Sequence, residues 1–115
     1  MEDCLFCKII RRALPSTVVF EDETVFAFED INPQAPVHTL VIPKAHYERL
    51  GDDIPADLLG HLFSVAVLVA RIKGVDKTGY RVSTNVGDDG RQTVPHLHIH
   101  VMGGARMPAQ MGPVD

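Results

Sequence analysis

Apolar and polar positions group into seven short patterns, one of which is long and helical. Leu5 to Arg12 mixes apolar and basic residues and is followed by Pro15, which predicts a brief N-terminal helix. Val18–Glu21 and Val25–Glu29 are β-prone runs around the acidic turn Asp22-Glu23-Thr24, a hairpin signature. Asn32-Pro33-Gln34-Ala35-Pro36 is a turn-rich loop, and His38 to Ile42 is a third strand ended by Pro43. After Pro55, Leu58, Leu59, Leu62, Val65, Ala66, Val69 and Ile72 recur at helical spacing, with Gly74 as a stop. Phe63, Val67 and Leu68 widen the apolar surface beyond one stripe, which predicts a second burial surface, read as a homodimer contact. Tyr80 to Val86 and His96 to Met102 complete the strands, separated by the tight turn Gly87-Asp88-Asp89-Gly90. Five short strands and one long helix in this order predict an α+β fold with a mostly antiparallel sheet. No repeat or linker interrupts it, so the expectation is one domain over 1–115, with its core at 4–104 and an irregular tail at 105–115.

Composition narrows the function classes. At 115 residues the chain is of single-domain length and buries roughly two-thirds of its unfolded surface. The 11 Lys and Arg against 15 Asp and Glu give a net charge of −4, which argues against nucleic-acid and membrane-surface partners. The N-terminus Met1-Glu2-Asp3-Cys4 lacks the pattern of a secretory signal, and the longest mostly apolar run, Leu62 to Ala70, is about half a bilayer span. The expectation is a soluble, cytoplasmic protein. In such a reducing compartment, Cys4-Leu5-Phe6-Cys7 points to metal or redox chemistry more than to a structural disulfide.

Three of the six histidines fall in His96-Leu97-His98-Ile99-His100. On a strand the three imidazoles project to one side, about 6.6 Å apart, while Leu97, Ile99 and Val101 anchor the other side in the core. Such a row serves either a zinc site or nucleophilic catalysis by a neutral imidazole, and the spacing does not choose between them.

His96-Leu97-His98-Ile99-His100-Val101-Met102 resembles the signature of the histidine triad (HIT) family. Cys4–Ile10, Asp30–His38 and Val41–His46 are similar to that family's other blocks, so the resemblance runs from Cys4 to about Gly104. The third histidine, His100, is similar to the histidine triad nucleotide-binding protein branch, where hydrolases of dinucleoside polyphosphates and nucleotidyl transferases usually carry Gln. The resemblance implies a HIT-like fold and hydrolysis of purine nucleoside 5′-phosphoramidates, such as AMP or GMP conjugates, without a catalytic cofactor. His98 is the implied nucleophile, with its ring nitrogen held by the His96 carbonyl. His100 is the implied donor to phosphate, and His38 an active-site neighbour of His98. Thr93 stands where a serine hydroxyl contacts the leaving group's bridging atom, and Asn85 at a phosphate contact. Asp30 is implied to bind the ribose hydroxyls, and Ile31, Phe28 and Leu14 to wall the purine slot. Some relatives use Cys4-x-x-Cys7 with His46 and His96 equivalents as a structural zinc site.

Departures concern the leaving-group side. The tail from Gly103 lacks the Trp-Pro-Pro-Gly type segment of close relatives, Pro95 replaces an aromatic, and Arg91 replaces a small residue within reach of an anionic leaving group. His61 carries no implied role on the long helix, and Glu21-Asp22-Glu23 is expected to be a solvated turn. The competing functions are a dinucleoside polyphosphate hydrolase and a nucleotide-binding interaction module with incidental turnover.

Overall fold

Strand residues here bury both of their faces, and the sequence supplies a helix for each. In the computed structural model, which describes residues 3–109, the order is α1 (Leu5–Ile10), β1 (Val18–Glu21), β2 (Val25–Glu29), β3 (Val37–Pro43), α2 (Ala56–Ile72), β4 (Tyr80–Ser83) and β5 (Ile99–Gly103). The strands form one antiparallel sheet in the order β1-β2-β3-β5-β4, the α+β architecture that the pattern predicts. Along β2, Val25 and Ala27 face α2 while Phe26 and Phe28 face α1. Val41 and Leu40 divide the same way on β3, which puts His38 and Leu40 on the α1 side.

Helix α2 buries Leu62, Val65, Ala66, Val69 and Ala70 against Val25, Ala27, Val41, Ile99 and Val101. Its end is a Schellman motif: Gly74 at φ +74° donates its N–H to the Arg71 carbonyl, and Val75 donates to Ala70. Phe63 and Val67 stay 42% and 38% exposed on its outer side. Helix α1 is one and a half turns capped by Cys4, whose Sγ accepts from the Cys7 N–H. Both clusters of core residues are therefore divided by the sheet.

Two strands are shorter than the pattern predicts. β4 ends at Ser83, because Thr84 leaves the ladder and its Oγ1 donates to the His98 carbonyl at 2.8 Å. β5 begins at Ile99, so His96–His98 precede the ladder; there the His96 N–H donates to Val94 and the Leu97 N–H to Tyr47. Side-chain alternation survives without the ladder, since Leu97 and Ile99 both enter the α2 core. The acidic turn is mostly exposed, as expected, but two of its carboxylates are paired. Glu21 meets Arg12 and Lys44 at 2.7 Å each, while Asp22 caps Thr24 and Val25 and meets His61 Nε2 at 2.6 Å, which gives that histidine a partner. Beyond β5, residues 104–109 are irregular, and Arg81 donates to the Pro108 carbonyl. The rest of the predicted irregular tail, 110–115, lies outside the described residues. Among the described residues no helix is long and apolar enough to cross a membrane.

Gly103, paired with both Val37 and Tyr80, packs directly on Val75. An added Cβ would stand 2.9 Å from Val75 Cβ and 3.1 Å from both of its methyls. Gly103→Ala is expected to overpack this contact and lower stability by about 1–3 kcal/mol in urea denaturation. An unchanged midpoint would show that Val75 yields freely.

Candidate active site and Cys/His cluster

His98 lies at the foot of β5, 5% exposed, with its orientation set by the main chain beside it. Its Nδ1–H donates to the His96 carbonyl at 2.7 Å. A carbonyl only accepts, so the proton is on Nδ1 and the lone pair is on Nε2. No buried polar side-chain atom among the described residues lacks a partner, so the unpaired Nε2 keeps contact with solvent. Burial pushes the His98 pKa below the usual 6.5 despite the bond to His96, which keeps the ring neutral at pH 7. Phe6 of α1 stands edge-on to this ring at 5.2 Å, and His100 packs on it at 5.0 Å.

A second chain of hydrogen bonds fixes His100. The Gln34 backbone N–H donates to His38 Nδ1 at 3.0 Å, so the neutral His38 carries its proton on Nε2. That proton reaches His100 Nδ1 at 2.9 Å, leaving His100 with its own N–H on Nε2. His38 is thus bonded to His100, which in turn packs on His98, so it neighbours His98 without bonding it directly. Burial lowers the pKa of His38, and burial with His98 and His38 nearby pushes that of His100 down to about 4. Asp30, His38 and His100 also cluster closely enough to suggest a metal site. The Gln34 N–H excludes the usual form of it, since His38 cannot accept at Nδ1 and ligate through Nε2 as a neutral ring.

These rings open into a cavity of about 590 Å³. Asp30, Ile31, Phe28, Leu14 and Thr93 all line it, so residues far apart in sequence meet where the resemblance places a nucleotide. Asp30 spends Oδ1 on the Asn32 N–H, which shapes the loop, and Oδ2 stands 3.5 Å from His38 Nε2. Ile31 is 84% exposed. Asn85 does not line the cavity; its amide donates to the Gly90 carbonyl and braces the turn instead. Arg91 is an exposed residue of that turn at φ +64° and lies outside the lining. Phe6 and Gln34 are among the site residues that sequence reasoning missed. Phe6 sits between the cysteines with no chemistry to mark it, and Gln34 acts through its backbone, which no side-chain pattern reports.

Behind the site, Cys4, Cys7, His46 and His96 converge. His96 donates Nε2–H to the Pro43 carbonyl, so its Nδ1 turns a lone pair toward Cys4 Sγ at 3.3 Å, Cys7 Sγ at 3.6 Å and His46 Nδ1 at 3.2 Å. Cys7 Sγ also meets His46 Nδ1 at 3.3 Å. Zinc bonds of about 2.3 Å to sulfur and about 2.05 Å to nitrogen imply tetrahedral N–N and N–S edges of roughly 3.3–3.6 Å, close to the distances between these donors, which therefore fit that ion. Burial and the adjacent Cys4 push the Cys7 thiol up to about 11, and burial pushes His96 down to about 4.

A two-faced antiparallel sheet with a histidine row that leads into its last strand beside an apolar cavity is the arrangement of a small histidine-triad protein. The HIT domain pattern matches residues 11–107, and the chain belongs to the HIT family. It is 48% identical over 107 residues to a 14 kDa zinc-binding protein of Zea mays, covering 90% of this chain and 83% of that one. Its fold is similar to a HIT family hydrolase from Clostridium thermocellum, with a TM-score of 0.93, 46% identity, and coverage of 96% of this chain and 98% of that one. It is also similar to a histidine triad nucleotide-binding protein from Candida albicans, with a TM-score of 0.81, 33% identity, and coverage of 96% and 87%.

The hydrogen-bond directions predict the tautomers directly. Long-range 1H–15N spectra at pH 7 are expected to show His98 protonated on Nδ1, and His38 and His100 protonated on Nε2. An Nε2–H tautomer at His98 would contradict the geometry.

Proposed function

We propose that this protein hydrolyses purine nucleoside 5′-phosphoramidates to the monophosphate and an amine, through a nucleotidyl-histidine intermediate on His98. The observation that carries this reading is the neutral His98 ring. Its proton is held on Nδ1 by the His96 carbonyl and its Nε2 is left unpaired at the cavity. Attack in line on the α-phosphorus forms a bond from Nε2 and breaks the bond to the amine. The ring becomes cationic in that step, so its bond to the His96 carbonyl strengthens as the transition state is approached. His100 Nε2–H is the donor for the phosphoryl oxygens, since its other nitrogen already accepts from His38. Thr93, on the cavity wall, is assigned to the departing nitrogen, which takes a proton from solvent water as it leaves, a proton that the later hydrolysis of the intermediate gives back. Water then cleaves the nucleotidyl-histidine.

The nucleotide reading is supported by the cavity's size, within the usual 300–1,000 Å³ or so of ligand sites, and by its apolar walls Phe28, Leu14 and Ile31 beside the Asp30 carboxylate. The name of the Candida albicans relative points the same way. Cys4, Cys7, His46 and His96 are the residues that would hold zinc. With all four positions filled by protein, the ion supplies structural cross-linking of α1 to the sheet and no site for water. The exposed Phe63 and Val67 support a homodimer through α2, and cytoplasmic residence is part of the same reading.

AMP release from adenosine 5′-monophosphoramidate is expected from the wild-type protein, and loss of at least about 10³-fold in His98→Ala. Because the His38, His98 and His100 pKa values are all lowered, the rings stay neutral as pH falls below 6.5. The acid limb of kcat/KM is therefore expected below the usual imidazole value of 6.5, with His100 itself protonating only at about 4. Equal activity in His98→Ala would refute the nucleophile, and AMP binding without turnover in the wild type would leave a nucleotide-binding module. Reconstituted protein is expected to retain about one zinc per chain, lost in Cys7→Ser. Metal content near zero in the wild type would remove the zinc assignment.

A further inference from the structure

We propose that the Cys/His cluster positions the nucleophile, through His96 and Phe6, and does not merely stabilise the fold. The inference rests on the reading of His98 as nucleophile. Its starting point is that His96 belongs to both sites at once. The His96 side chain lies among Cys4, Cys7 and His46, and its carbonyl holds the Nδ1–H of His98 at 2.7 Å. No strand ladder steadies that carbonyl, because β5 begins only at Ile99. What steadies residue 96 is its own ring, tied at Nε2 to the Pro43 carbonyl and at Nδ1 to the cluster, together with main-chain bonds to two loop carbonyls at Val94 and Tyr47. The second of these follows His46 directly in sequence, so another ligand sits next to a support of the same segment.

Phe6 supplies an independent path. It lies between Cys4 and Cys7 on a six-residue helix, too short to hold its shape in isolation. The two cysteines tie this helix to His46 and His96. Phe6 then sets its ring edge-on against His98 at 5.2 Å, His96 at 5.9 Å and Phe28 at 5.4 Å. One hydrogen bond at Nδ1 leaves the His98 ring free to tilt about that bond; the Phe6 and His100 rings packed against it at 5.2 and 5.0 Å restrict the tilt. Closing the four ligands on a cation therefore fixes both supports of His98, and releasing them loosens both. His96 and Phe6 are positioning residues in this account.

The test uses His46→Asn, which opens the cluster at a residue that contacts neither His98 nor the cavity, beside wild-type protein stripped of zinc and protein reloaded with zinc. The first readout is the 1H–15N imidazole signal of His98, which needs no substrate. A single Nδ1–H tautomer is expected in the zinc-loaded wild type. Exchange broadening or a mixed tautomer is expected in the stripped protein and in His46→Asn, reversed by zinc in the stripped protein alone. The second readout is kcat for the phosphoramidate, expected to fall at least about tenfold with His98, since small misplacements of a reacting group are costly. Phe6→Leu, with all four ligands intact, covers the case in which loss of the metal unfolds the chain: it is expected to keep zinc and still broaden the His98 signal. An identical, sharp His98 signal in every protein that remains folded would overturn the proposal. Absence of turnover in the wild type would instead remove the phosphoramidate reading, and the His98 signal would still decide this one.

Discussion

One hydrogen bond, from His98 Nδ1–H to the carbonyl two residues earlier, organises the whole site. A peptide oxygen cannot donate, so the bond leaves no choice of tautomer, and it uses no side chain to enforce that choice. Everything around it serves to keep that oxygen where it is. The α2 core holds Leu97 and Ile99 from one face of the sheet, and the Cys/His cluster holds the His96 ring from the other. A ring placed by backbone geometry and two opposed packing layers needs little room to adjust. This accords with a 5% exposed ring among close neighbours.

The two faces do different work although they share the same strands. Towards α2 the inward residues are aliphatic and sealed, forming a continuous core under Leu62, Val65 and Val69. Towards α1 the strands offer Phe28 and Leu40, then His38 and His100, so the core passes into a polar row without a change of element. Covering that face with only a six-residue helix leaves the apolar cavity open between α1, the Asp30–Gln34 loop and β5.

Most of the fold was legible because period-two and period-3.6 patterns report burial, and burial here is strong. The helical run ends ahead of Gly74 as its spacing predicts, and the hairpin and the antiparallel sheet are those the pattern predicts, whereas the strand order was not read from it. The strand limits at Thr84 and His96 were not legible, since alternation continues past the point where ladder partners stop. Side chains far apart in sequence meet at the cavity and behind it. What escaped were relations carried by the backbone or by shape alone. Gln34 donates through its peptide nitrogen, Phe6 acts as a flat surface, and Asn85 turned out to brace a turn. His38 belonged to His100 because loop 30–34 orients it, and nothing in its own neighbourhood of sequence says so.

That loop gives the site a polarity. From Gln34 through His38 to His100 every hydrogen bond runs in one direction, and it begins at a peptide nitrogen that cannot be turned into an acceptor. The cavity end of the row is consequently a fixed donor while both rings are neutral. An oxyanion meets a matching partner there, whereas an ammonium group meets a proton facing a proton. In the proposed reaction the two products would therefore part from the site on unequal terms. The amine has nothing to hold it at this end of the row, and the monophosphate is retained by the same contact that received the substrate.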